Sequence, residues 1–178
     1  RLQINEDYIQ IDGEKLKKIT INNNFVGPTL FFKEGDDAII YVKNNMNKTT
    51  SIHWHGLLVP GIMDGVSGFN NFTGIESKEI FTYRFKIRQS GTYWYHAHSE
   101  GQGQDGLYGS IVIAGQKDND LHFVDRDYVI LLSDFHSDKA SKIMRNLKIS
   151  SEFYQYDRRT IWSLFKDIKK NGTKKALS

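Results

Sequence analysis

Up to about Gly115, apolar and polar positions alternate with a period of two. In "EIFTYRFKIR", Phe81, Tyr83, Phe85 and Ile87 share one face, and Thr82, Arg84, Lys86 and Arg88 the other. That is the pattern of a half-buried antiparallel strand. "AIIYVKNN" predicts another strand, ending in an Asn-rich turn. "QSG" (Gln89 to Gly91) reads as a short hairpin connection into "TYWYHAH", and "LYGSIVIAG" supplies the next strand. Short strands with turn signals at close spacing predict a sandwich or a barrel.

Beyond the polar stretch "GQKDND", the pattern offers one more strand, "DYVILLSDF", and then changes period. In "TIWSLFKDIKKNG", Ile161, Leu164, Phe165 and Ile168 fall at helical spacing on one face. Thr160 suits the N-cap, Lys169 and Lys170 the C-terminal turn, and Gly172 the exit. A shorter helix is expected around Ser141 to Ile149, with Ile143, Met144 and Leu147 inward. The expected division is a β domain at 1–115, a linker at 116–126, and part of a second domain at 127–178. About fifty residues are few for an independent domain.

Composition narrows the chemistry. Apolar residues at 39% and charged residues at 25% describe an ordinary globular chain. No apolar run approaches the roughly 20 residues of a membrane-spanning helix. The first residues do not form a signal peptide, although a processed secreted protein would look the same. There is no cysteine. Disulfides, zinc–thiolate sites and a blue-copper site with its thiolate ligand are therefore excluded within this sequence.

The net charge of +3 is unevenly spread. Residues 142–178 carry ten Lys/Arg against three Asp/Glu, net +7; residues 1–141 carry fourteen against eighteen, net −4. A solvated helical face explains the basic end, and contact with anionic lipid or an acidic partner is the alternative. No nucleic-acid partner is expected.

Four of the six histidines stand in two H-x-H pairs, His53 with His55 in "SIHWHGLLVP" and His96 with His98 in "TYWYHAHSEG". Chance predicts roughly 0.2 such pairs at this frequency. In a strand, residues two apart share a face, so each pair projects together, with Trp54 opposite the first and Tyr95 and Ala97 opposite the second. If the two strands are neighbours, four imidazoles converge. Neutral imidazole suits zinc, copper, iron and nickel, with Cu(II) the tightest of the divalent ions. A catalytic zinc fits less well, because a fourth histidine fills the position its water needs. A cupin-type site lacks its carboxylate, since "HWHGLLVPG" has none. His122 and His136 have no such companions and read as surface or linker residues.

"SIHWHGLLVPGIMDGVSG" and "FTYRFKIRQSGTYWYHAHSEGQGQDGLYGSIVI" closely resemble the first cupredoxin domain of multicopper oxidases, above all the bacterial copper-resistance oxidases of the periplasm. "NNFVGPTLFFKEGD" matches the segment before the first pair, and "RDYVILLSDFHSD" onward looks like the start of the second domain. The resemblance implies an all-β, cupredoxin-like, antiparallel Greek-key β-sandwich, followed by a short helical remnant of a second domain. It implies copper as cofactor and a periplasmic location. His53 would bind the type 2 copper, and His55, His96 and His98 the type 3 pair. Asp64, in "GIMDG", falls where the family has an acidic residue that assists proton delivery; as a bare sequence feature it is a turn aspartate. Asp105, in "GQDG", reads as a turn residue.

Family members use eight histidines and a cysteine-containing type 1 site, and this sequence holds half the histidines and no cysteine. The expectation is thus the copper-binding N-terminal portion of an oxidase that reduces dioxygen to water while oxidising a substrate or cuprous ion. A second chain carrying the last cupredoxin domain would be one way to complete it. The rivals are a non-catalytic copper-binding or buffering protein and, less favoured, a zinc hydrolase.

Overall fold

The computed structural model describes residues 1–116, 125–155 and 161–171. Its eight strands are β1 (Leu2–Ile11), β2 (Glu14–Ile21), β3 (Leu30–Lys33), β4 (Asp37–Asn44), β5 (His53–His55), β6 (Ile80–Lys86), β7 (Gly91–His96) and β8 (Tyr108–Ala114). They form two four-stranded sheets, ordered β2-β1-β4-β6 and β3-β8-β7-β5. This is the cupredoxin-like sandwich the resemblance implies.

Period-2 patterning drives the first sheet. Along β4, Ala38, Ile40, Val42 and Asn44 are buried and the alternate residues exposed. Its partner β6 buries Tyr83 and Phe85 and leaves Arg84 and Lys86 outside, with buried Ile87 continuing the same face. The inward faces of both sheets meet in one core, which includes Leu2, Ile4, Val42, Trp54, Tyr95 and Ile111.

Trp54 is central to how the core serves the site. Its ring lies 5.1 Å from Tyr83, 5.6 Å from Phe85 and 5.9 Å from Tyr95. Each such aromatic pair is worth about 0.5–1.5 kcal/mol beyond burial. A strand of only three residues, β5, is held in place by this box.

Four expectations are corrected. "QSG" is not a hairpin: β6 lies in the first sheet and β7 in the second, so the connection crosses between sheets. Periodicity reports which face is buried, not which strand is the neighbour. The sheets are also mixed rather than wholly antiparallel, because β1 runs parallel to β4 and β3 parallel to β8. "DYVILLSDF" is no strand, and Leu132 within it is 88% exposed. A ladder needs a neighbour to take its backbone groups, and none among the described residues does so.

The fourth correction concerns α1 (Ala140–Ile149), in which Met144 and Leu147 are exposed rather than inward. Asn146 is the buried residue instead, and its amide donates to the Tyr154 hydroxyl at 2.8 Å. The last helix, α2 (Ile161–Asn171), forms where the helical period predicts, with Ile161 and Phe165 exposed. Thr160, Gly172 and the Leu164 side chain lie outside the described residues.

The chain divides into two compact units, Arg1–Ser141 and Lys142–Ser178. The basic excess belongs to the second. Within the first unit, the buried Lys18 donates its ammonium to the His136 carbonyl at 2.6 Å and lies 5.2 Å from the Phe135 ring. Burial pulls its pKa down, against the opposing pull of Asp105 and Asp138. This lysine staples the 135–138 segment to the sandwich.

Candidate metal centre

Strands β5 and β7 are antiparallel neighbours in a register that sets His53 opposite His96, Trp54 opposite Tyr95 and His55 opposite Trp94. The alternation therefore sends His53, His55 and His96 to one face, and His98 follows just past the end of β7. Trp54 and Tyr95 go to the other, where both are fully buried.

Ring centroids place His53 5.5 Å from His55, 5.4 Å from His96 and 5.8 Å from His98. One nitrogen from each of His53, His55 and His96 lies within 4.8 Å of the other two. His98 stands beside them, 6.2 Å from His96 ring to ring, and its nitrogens are not part of that tight group. His136 is engaged elsewhere, its Nδ1 accepting from the Asp138 N–H at 2.9 Å. His122 lies outside the described residues.

Two of the imidazoles are fixed from behind. His53 Nδ1 is 2.8 Å from the Asp64 carbonyl oxygen and 3.4 Å from its carboxylate Oδ1. His96 Nδ1 is 2.9 Å from the Ala97 carbonyl. A carbonyl only accepts, so both rings carry their proton on Nδ1 and direct an Nε2 lone pair forward. His55 Nδ1 faces that lone pair of His96 at 3.3 Å. Burial lowers the pKa of His96, and the nearby His53, His55 and His98 push the same way; its bond to Ala97 opposes them.

Asp64 follows a 3-10 turn, Gly61–Met63, and precedes Gly65. Gly65 has φ +77, and a Cβ there would sit 1.7 Å from the Ile52 carbonyl oxygen. Only glycine lets the Asp64 loop close onto the start of β5, which explains how a turn aspartate reaches His53. Asp105 does lie in a turn, and its carboxylate also accepts the Ala140 N–H at 2.8 Å, capping α1.

Residues not singled out by the sequence reading support the cluster. Ser51 is buried, accepts the His98 N–H at 3.0 Å and lies 2.8 Å from the Ser99 hydroxyl. Buried Gln102 receives the Thr50 hydroxyl at 2.6 Å and donates to the Thr49 carbonyl at 2.8 Å, tying the loop after β7 to the approach of β5. Trp94 stacks on His96 with centroids 4.1 Å apart. A signal existed for two of these. Ser51 precedes His53 by two residues and Trp94 precedes His96 by two, so each extends its pair along the same face. Two cavities border the cluster, one of about 440 Å³ beside Trp94 and His96 and one of about 620 Å³ beside His98 and Ser99.

A two-sheet sandwich that gathers His53, His55 and His96 on adjacent strands, with His98 just past the end of β7, has a donor set suited to a metal ion. Comparison with known proteins takes this further. Residues 3–118 match the family model described as "Multicopper oxidase". Copper resistance protein A of Escherichia coli is 41% identical over 171 residues, which is 96% of this chain and 28% of that protein. Multicopper oxidase MCE of Talaromyces pinophilus is 46% identical over 114 residues, covering 63% of this chain and 19% of that one. Among solved structures, the multicopper oxidase from Campylobacter jejuni, a metallo-oxidase, is 39% identical with a TM-score of 0.58, over 65% of this chain and 25% of its own. The chain belongs to the multicopper oxidase family. Membership implies copper as its cofactor.

The chain spans under a third of the length of the curated relatives it matches. Those relatives carry the matching segment within one longer polypeptide, which lends no support to a separate second chain. Among the described residues, no helix is long and apolar enough to cross a membrane.

Proposed function

We infer that this chain is the copper-binding portion of a multicopper oxidase acting in copper resistance, and that it supplies four imidazoles to a three-copper cluster. His53 would hold the type 2 copper, and His55, His96 and His98 the type 3 pair. Residues 1–115 form the copper-binding sandwich, 116–126 link, and 127–178 begin a second domain. The periplasm is the proposed compartment, on the strength of the copper-resistance relatives.

The observation that carries the reading is the convergence of His53, His55 and His96 within 4.8 Å of one another. The donor set fits the metal. His55 Nδ1 and His96 Nε2 stand 3.3 Å apart, so these two imidazoles could be held by copper together. All the donors are imidazoles, which suit Cu(II) and would not produce the intense blue colour of copper–thiolate bonding.

When bound, copper would supply the one-electron chemistry that dioxygen reduction requires. The chain's own residues orient the ligands and handle the proton. The Asp64 and Ala97 carbonyls hold His53 and His96 in the tautomer that presents Nε2. The Asp64 carboxylate, half-buried and 3.4 Å from His53 Nδ1, would hold and pass a proton beside the cluster. Burial of His96 favours its neutral, ligating form.

A non-catalytic copper-buffering role has one observation in its favour: three nitrogens within 4.8 Å suffice for a single ion. Calorimetric Cu(II) titration tests both readings. The His53→Ala/His96→Ala double variant should lose most high-affinity binding, while His122→Ala should keep it. Equal loss from His122→Ala would overturn the assignment. A stoichiometry of one ion in the full-length protein would favour buffering.

A further inference from the structure

We propose that Trp94 is a positioning residue for the copper centre, holding the His55 and His96 rings as a pair; its role in metal binding rests on the reading above. The β5–β7 register puts Trp94 directly across from His55 and two residues before His96, on their shared face. Its indole stacks on His96 with centroids 4.1 Å apart and planes 21° from parallel. The same indole lies 5.1 Å from the His55 ring at 32°. One flat surface thus backs both members of the facing nitrogen pair, His55 Nδ1 and His96 Nε2.

The need for such a backing follows from what else touches these rings. His53 has a carbonyl and a carboxylate on its rear nitrogen. His96 has a single carbonyl, that of Ala97, its own neighbour in sequence. His55 is exposed, and among the described residues its Nδ1 faces only the Nε2 of His96. Rotation of either ring about its Cβ–Cγ bond would swing the ligating nitrogen out of the cluster. The 440 Å³ cavity that Trp94 and His96 line leaves open space beside the His96 ring. Stacking on a half-buried indole closes off that rotation, and a large planar side chain is the group suited to it.

The test begins without metal. In ¹⁵N-labelled protein, long-range imidazole spectra should show His96 as a fixed Nδ1–H tautomer, with Overhauser contacts between its ring and the Trp94 indole. In Trp94→Leu, the His96 and His55 ring signals should move toward tautomer-averaged positions, while His53, held by Asp64, should not. Cu(II) affinity should fall about 10-fold or more, as for other residues that orient ligands. Trp94→Phe should restore the fixed tautomer and most of the affinity.

Unchanged ring signals and affinity in Trp94→Leu would overturn the proposal. So would the absence of Trp94–His96 contacts in the unmodified protein, a measurement that stands even if the leucine variant does not fold. If the ring signals respond as expected but the unmodified protein does not bind copper, the orienting role of Trp94 survives and the copper reading fails.

Discussion

Asp64 meets His53 twice, through its main-chain carbonyl at 2.8 Å and its carboxylate at 3.4 Å from the same Nδ1. The two contacts have separable consequences. The carbonyl sets the tautomer, and the carboxylate adds charge that strengthens the ring as a donor. Asp64→Ala keeps the first and removes the second. Its Cu(II) affinity should therefore fall by about 10-fold, the low end of the range for such residues. Calorimetric titration beside a urea melt checks this, and an affinity equal to that of the unmodified protein would remove the Asp64 carboxylate from the centre.

The Asp64 loop depends on Gly65. A methyl group there would collide with the Ile52 carbonyl, and φ +77 is strained for any other residue. Gly65→Ala should cost at least about 2 kcal/mol of unfolding free energy. It should also weaken copper binding, because the colliding carbonyl belongs to the residue before His53. A urea midpoint unchanged by the substitution would contradict the packing described.

pH should act on both stability and binding. The pKa of His96 is lowered by burial first and then by the neighbouring imidazoles, so the fold favours the neutral ring. Its contribution is therefore complete above the ordinary value of about 6.5 and is lost as pH falls below it. Copper binding weakens over the same range, because protonated imidazoles do not ligate. Urea melts of metal-free protein from pH 8 to pH 5 should show stability falling through the acid half. In His96→Gln that fall should shrink.

The 127–133 stretch is apolar but has no ladder. Tyr128, Ile130 and Leu132 are all exposed, and burying such side chains is worth roughly 1.5–3 kcal/mol each. Limited proteolysis of the 178-residue chain should cut first between about Gly115 and the C-terminus and leave the sandwich intact. Uniform resistance along the chain would show that this stretch is protected.

The 178-residue chain by itself should not sustain oxidase turnover. Reduction of dioxygen to water takes four electrons, and this sequence contains no cysteine for a thiolate-bound copper. Copper-loaded protein should take up oxygen from cuprous ion or a phenol no faster than a free-copper control. Sustained uptake that is lost in His55→Ala would prove the segment sufficient.

Much of the site was legible along the chain for a simple reason. Side chains two apart in a strand share a face, so "HWH" and "HAH" determined that each pair projects together, and Trp54 and Tyr95 had to be their buried counterparts. The apolar pattern also predicted β4 and β6 of the first sheet but not β1 and β2, and helical spacing predicted the position of α2. Period alone could not say which strand lies beside which. Only the tertiary structure placed β5 against β7 with His53 across from His96, turned "QSG" into a crossing between sheets, and left "DYVILLSDF" without a partner. It also brought Asp64 behind His53 and set Trp94 against two imidazoles. Those relationships depend on long-range register and on one close backbone approach at Gly65, and neither leaves a periodic trace in sequence.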